Sequence, residues 1–96
     1  MKVNKKFRKP DPTEKKALQD LAEQISKMSP SLQPEEMQTI VYSVGKIHYS
    51  KERLREWFKM IYEVLFGDEQ GPRMGSFISF YGIKETVNLI NKSIND

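Results

Sequence analysis

Cysteine is absent from this 96-residue chain, and histidine occurs once, at His48. Together these shortages exclude disulfides, thiolate zinc sites, histidine–cysteine metal clusters and thiol nucleophiles. His48 falls at a helix end, where a structural or solvated imidazole is expected, and no nucleophile-elbow sequence offers it a serine partner. No apolar run approaches the roughly 20 residues that a bilayer crossing needs. The start, MKVNKKFRKP, is basic but lacks the apolar stretch of a signal peptide. Strand-like alternation, internal repeats and low-complexity segments are missing as well. The expectation is a soluble, cytoplasmic chain without membrane contact and without a metal or cofactor of its own.

Charge is present but unevenly spread. The formal net charge is +3, yet Lys2, Lys5, Lys6, Arg8 and Lys9 all precede Pro10. From Asp11 onward eleven basic residues face thirteen acidic ones, a net of −2. The basicity belongs to an arm, residues 1–10, and the helical domain, residues 11–96, is slightly acidic. Such an arm either contacts phosphate in a salt-dependent way or is a solvated linker. Five like charges with little to bury predict that residues 1–9 are mobile. Pro10-Asp11-Pro12 marks the boundary, since two prolines favour extended backbone.

From there the pattern is helical. Ala17, Leu18, Leu21, Ala22, Ile25 and Met28 recur at spacings of three and four. Asp11 or Thr13 caps this first helix, and Ser29-Pro30-Ser31 stops it. A second helix opens at Pro34-Glu35-Glu36, carries Met37, Ile40, Val41 and Val44, and fades from Gly45 to His48. Ser50 caps a third, with Leu54, Trp57, Phe58, Ile61, Val64 and Leu65 on its apolar face and Gly67 as its stop. A short fourth runs from Pro72 to Gly82, and a fifth from about Lys84 to Ile94. The fold class is therefore all-α: one bundle of about five helices. Its core should hold Leu21, Ile25, Ile40, Val44, Trp57, Phe58, Ile61, Leu65, Ile78 and Ile90.

The informative stretch is GDEQGPRMGSFISFYGIKE, Gly67 to Glu85. Gly71 before Pro72 suits a helix start, with proline preset for the first position. At 100° per residue Met74, Phe77, Ile78 and Tyr81 share the face toward the bundle. Gly75, Ser79 and Gly82 form a stripe of small residues where a helix or ligand can approach. Arg73, Ser76 and Phe80 fall on the remaining side, near free N–H groups of the helix start. An arginine, a hydroxyl and an aromatic ring in that setting suit unstacked nucleotides. The competing role is scaffolding, with Phe80 packed on the fifth helix and Arg73 paired to Asp68 or Glu69. Lys46, Arg53 and Lys84 are the next cations to consider for RNA contact.

Three segments carry a resemblance: Ile61-Tyr62-Glu63-Val64-Leu65-Phe66-Gly67, then Gly71-Pro72-Arg73-Met74-Gly75-Ser76-Phe77-Ile78, then Tyr81-Gly82-Ile83-Lys84-Glu85. They resemble the C-terminal end of class I lysyl-tRNA synthetases, in which a helix ending in Leu-Leu-Gly leads into Gly-Pro-Arg-x-Gly, a further helix, a glycine and a final helix. Gly71, Pro72, Arg73 and Gly75 match that motif, and Arg73 favours the lysyl over the glutamyl branch. The resemblance implies a non-catalytic domain, an α-helical cage that grips the anticodon loop of a lysine-accepting tRNA. Its partners would be that tRNA and the remainder of the synthetase chain. ATP would be needed only by the full-length enzyme, whose catalytic domain lies upstream and is not in this chain. Ser26-Lys27-Met28-Ser29 shares letters with the Lys-Met-Ser-Lys-Ser loop of class I synthetases, but Pro30 and Ser31 follow, so the match is coincidental. The alternative from a different class is a helical protein–protein interaction module.

Overall fold

Asp11 starts the first helix. Its carboxylate accepts the Glu14 N–H at 2.8 Å, and the Glu14 carboxylate accepts the Asp11 N–H at 2.9 Å. This capping box satisfies two orphan donors at once, with Pro12 in the first turn. The computed structural model describes residues 8–29 and 31–95. It contains α1 (Pro12–Ser26), α2 (Pro34–Tyr49), α3 (Leu54–Ile61), α4 (Met74–Tyr81) and α5 (Ile83–Asn95), with no strand among the described residues. The all-α bundle is as expected. No helix is long and apolar enough to cross a membrane. Pro30, the expected stop of α1, and residues 1–7 of the arm lie outside the described residues.

Several boundaries differ from expectation for local reasons. Helix α2 does not fade at Gly45 but continues to Tyr49. Glycine is needed there for space, because a Cβ would press into the indole of Trp57 and come within 2.8 Å of Leu54 Cδ2. Trp57 is fully buried at this crossing and donates its indole N–H to the Val41 carbonyl at 3.1 Å. Ser50 makes no side-chain cap. It takes φ 69°, the one positive φ outside glycine among the described residues, and leads into a 3₁₀ turn, Lys51–Arg53, before α3. Helix α3 then widens into a π-helical turn, Tyr62–Phe66, stopped by Gly67 at φ 71°. The Gly67 N–H reaches back to the Tyr62 carbonyl, and the left-handed conformation costs a glycine little.

Helix α4 begins at Met74, two residues later than expected, with Arg73 rather than Gly71 in the cap position. Gly82, at φ 109°, is the single residue between α4 and α5. Helix α2 packs most extensively on α4, and α1 on α5. The core contains Leu18, Leu21, Ile25, Val41, Val44, Trp57, Ile61, Leu65, Met74, Ile78 and Ile90. Phe58 is half-buried against it. Ile40 is not part of it. The buried stripe of α2 runs through Met37, Gln38, Val41, Val44 and Gly45, which rotates the helix away from Ile40.

Residues 8–10, just before α1, are fastened to the bundle. Pro10 is buried. Arg8 donates to both carboxylate oxygens of Glu14, at 2.7 and 2.9 Å, and through Nε to Glu63 at 2.9 Å. Arg8 thus differs from the mobility expected of the arm. Its fork geometry matches a carboxylate in two places at once. The arrangement drives the Glu14 carboxyl below its ordinary range and the guanidinium above its own, mainly through the bond between them.

Candidate nucleic-acid interface

The contact between α2 and α4 sets how α4 presents its outer side. Gly75 lies so close to α2 that a Cβ would meet the Pro34 carbonyl and sit 2.7 Å from the Gln38 backbone nitrogen. At this point the buried Gln38 side chain accepts the Gly75 N–H at 2.6 Å. Arg73 offers no side-chain cap, so a glutamine from the neighbouring helix satisfies that donor instead. The small-residue side of α4 is therefore occupied by a helix at Gly75. Of the amides expected to be free at this helix start, the Gly75 N–H is therefore already bonded and buried.

Arg73, Ser76 and Phe80 are exposed together on the opposite side of α4. Phe80 is 92% accessible. It does not pack on α5, and Arg73 pairs with neither Asp68 nor Glu69 among the described residues, where Asp68 instead accepts the Glu69 N–H. The scaffolding alternative for these side chains is thus not realised in the fold. Tyr81, expected to point inward, is 45% exposed. Rotation of α4 toward α2 at Gly75 leaves Tyr81 at the margin, stacked on Phe77 with ring centroids 4.8 Å apart.

The other cations stand apart from this trio. Lys46 is exposed in the last turn of α2, about two turns beyond Gln38. Lys84 is exposed in the first turn of α5, beside a shallow groove with Ser26 and Met28. Arg53 is engaged elsewhere. It donates to Glu56 at 2.8 and 3.1 Å and lies 5.4 Å over the Tyr49 ring. His48, as expected of a structural histidine, bonds Asp20 of α1 at 2.9 Å. No group of three or more metal-ligating side chains occurs among the described residues.

The feature that sequence reasoning missed is a ribbon of six rings. Tyr42 meets Phe58 edge-on at 5.3 Å, Phe58 meets Tyr62 at 6.5 Å, and Tyr62 meets Phe66 at 6.1 Å. Phe66 then meets Phe77 edge-on at 5.0 Å, and Phe77 stacks on Tyr81. The spacing of four between Phe58, Tyr62 and Phe66, and between Phe77 and Tyr81, was the available signal. Gly71 lies over the middle of the ribbon, where a Cβ would stand 2.7 Å from Tyr62 Cδ1 and 3.3 Å from Phe66 Cδ2. Burial pushes the Tyr62 phenol above its usual range. The Gly-Pro-Arg turn is thus moulded over aromatic rings, which delivers Arg73 to the head of α4.

Searches against known proteins point one way. Over 94 residues, 98% of this chain, the sequence is 40% identical to a lysine–tRNA ligase of Roseobacter denitrificans. It is 40% identical over 91 residues to a lysine–tRNA ligase of Rickettsia felis, and 36% identical over 95 residues to one of Rickettsia bellii. No protein-family profile matches, and no solved structure gives a significant match. The chain spans only 17–18% of the length of these relatives. Taken with the helical bundle and its Gly-Pro-Arg turn, this similarity makes the chain a homologue of one segment of the lysine–tRNA ligases.

Proposed function

We propose that this bundle is a non-catalytic tRNA anticodon-binding domain of a class I lysine–tRNA ligase. In that role it grips the anticodon loop while the remainder of the synthetase, working in the cytoplasm, joins lysine to tRNA using ATP. The relatives' names supply the enzyme. The exposed Phe80 beside an unpaired Arg73 supplies the reason for RNA, and it is the observation that carries the reading. A phenylalanine left in water gains nothing for the fold, whereas stacking of an unpaired base on such a ring contributes about 1–3 kcal/mol. Arg73 fits a phosphate or a base edge.

The test measures melting and affinity for an anticodon stem-loop in Phe80→Ala and Arg73→Gln. Phe80→Ala should leave the melting temperature nearly unchanged and weaken binding by roughly five- to a hundredfold. Arg73→Gln should reduce the slope of log affinity against log salt by about one. Normal affinity in both variants would remove this surface from RNA binding. One observation favours a second reading, a protein-docking module: the relatives are far longer, so Phe80 can also be covered by another part of a synthetase chain. In that case Phe80→Ala would loosen the full-length enzyme and spare the stem-loop.

A further inference from the structure

Both ends of the aromatic ribbon are open, while its middle is covered by Gly71. Tyr81 ends it beside Phe80 on α4. Tyr42 ends it on α2, 41% exposed, with one edge of its surroundings fixed by the Phe58 ring. Lys46 lies one helical turn beyond Tyr42, and Arg55 one turn before Phe58, so both cations flank the Tyr42–Phe58 pair. Neither forms an ion pair among the described residues. Of the nearby acids, Glu56 is tied to Arg53, which leaves Glu52 as the one carboxylate close in sequence without such a partner. Ile47 adds a 73% exposed apolar side chain next to Lys46. A ring held by a second ring, bordered by uncommitted cations, is a platform suited to a stacked base whose phosphate meets the cations.

We propose that Tyr42, with Lys46 and Arg55, forms a second stacking subsite for an unpaired nucleobase of RNA, at the opposite end of the ribbon from Phe80. The proposal rests on the RNA-binding reading of α4 and extends it. One single-stranded loop would be held at two platforms, Phe80 next to the Tyr81 end of the row of rings and Tyr42 at its other end, and Lys46 and Arg55 would meet the phosphates beside Tyr42. The Phe58 ring holds Tyr42 in place, so little conformational freedom is lost at this platform when a base arrives.

The experiment uses the unaltered chain and a labelled RNA hairpin with a seven-nucleotide unpaired loop. Tyr42→Phe, which keeps the ring, should bind like the parent. Tyr42→Leu, which keeps apolar bulk without a stacking face, should bind about fivefold or more weakly. The double variant Lys46→Gln/Arg55→Gln alters only exposed side chains and so preserves the fold. It should lower the log–log salt slope by about two. An unchanged slope in the double variant overturns the proposal even if Tyr42→Leu fails to fold. Equal losses in Tyr42→Phe and Tyr42→Leu would overturn stacking, because the hydroxyl would then be the contact. If Tyr42→Leu binds normally while Phe80→Ala does not, this subsite fails alone and its face reverts to protein contact. If the parent chain does not bind the hairpin, the reading of α4 fails and this one falls with it.

Discussion

Replacing Gly75 by alanine should destabilise the domain, although alanine is the better helix former. Two effects oppose each other at this position. Alanine in a helix interior gains about 1 kcal/mol over glycine. Against this, the new methyl would press on the Pro34 carbonyl and lie 2.7 and 2.8 Å from the Gln38 backbone nitrogen and Cβ. Most of these neighbours are backbone and cannot swing aside, so α4 must move off α2. Overpacking of this kind costs about 1–3 kcal/mol. Moving α4 also stretches the buried bond from the Gly75 N–H to Gln38, and an unsatisfied buried donor costs about 1–3 kcal/mol more. The net loss is on the order of 1–5 kcal/mol. In a domain of this size each kcal/mol moves the melting temperature by roughly 4–8 °C. Thermal melting followed by circular dichroism would therefore show a drop of at least about 4 °C. Ser79→Ala, exposed on the same helix, is the control and should shift stability by no more than about 0.5 kcal/mol. A Gly75→Ala protein that melts at or above the parent would refute the jammed contact and restore Gly75 as a candidate for ligand approach.

Two further outcomes test the packing. Glu14 is held below its ordinary value of 4.5, chiefly by the bond from Arg8, so its contribution is present above that value and is lost as pH falls through the depressed one. Glu14→Gln should accordingly melt lower than the parent at pH 7, with the difference shrinking as acid titration takes the pH through the depressed value; a difference that stays constant until the protein unfolds in acid would show that the ion pair contributes nothing. Trp57, buried and bonded to the Val41 carbonyl, should emit at short wavelength and shift red in step with the loss of helical circular dichroism on heating. A native spectrum like that of free tryptophan in water would contradict its burial.

Much of the fold was legible because helix signals act locally. Asp11 and Pro12, Pro34 and Gly67 mark helix ends through their own backbone preferences, and the three-four spacing of α1 identifies its buried face without reference to any partner. What was illegible depended on partners distant in sequence. Gly45 reads as a weak point in isolation and proves to be the place where Trp57 crosses. Ile40 and Tyr81 fit the apolar periodicity but are displaced because Gln38, Gly45 and Gly75 take the close side of their helices. The side of α4 carrying Arg73, Ser76 and Phe80 was visible from angular spacing alone. The ribbon was half visible, since Phe58, Tyr62 and Phe66 share one helix, whereas its continuation to Tyr42 and Phe77 requires the tertiary fold. Arg53 differs from these, since its partners Glu56 and Tyr49 lie only three and four residues away in sequence.

The pairing of α1 with α5 has a consequence for synthesis. Within this bundle α1 is synthesised before its main partner and meets it only after α2, α3 and α4 have followed, so closing that contact means bringing together segments more than fifty residues apart in sequence. Entropy makes such closure slow compared with local helix formation. Until α5 emerges, Leu18, Leu21 and Ile25 have no complete cover, and the nascent domain carries an oily stripe that chaperones or other chains can bind. Translation of α5 is then the step that turns a set of fluctuating helices into a finished bundle. A message truncated before Ile83 would give a product destined for degradation rather than a smaller working domain.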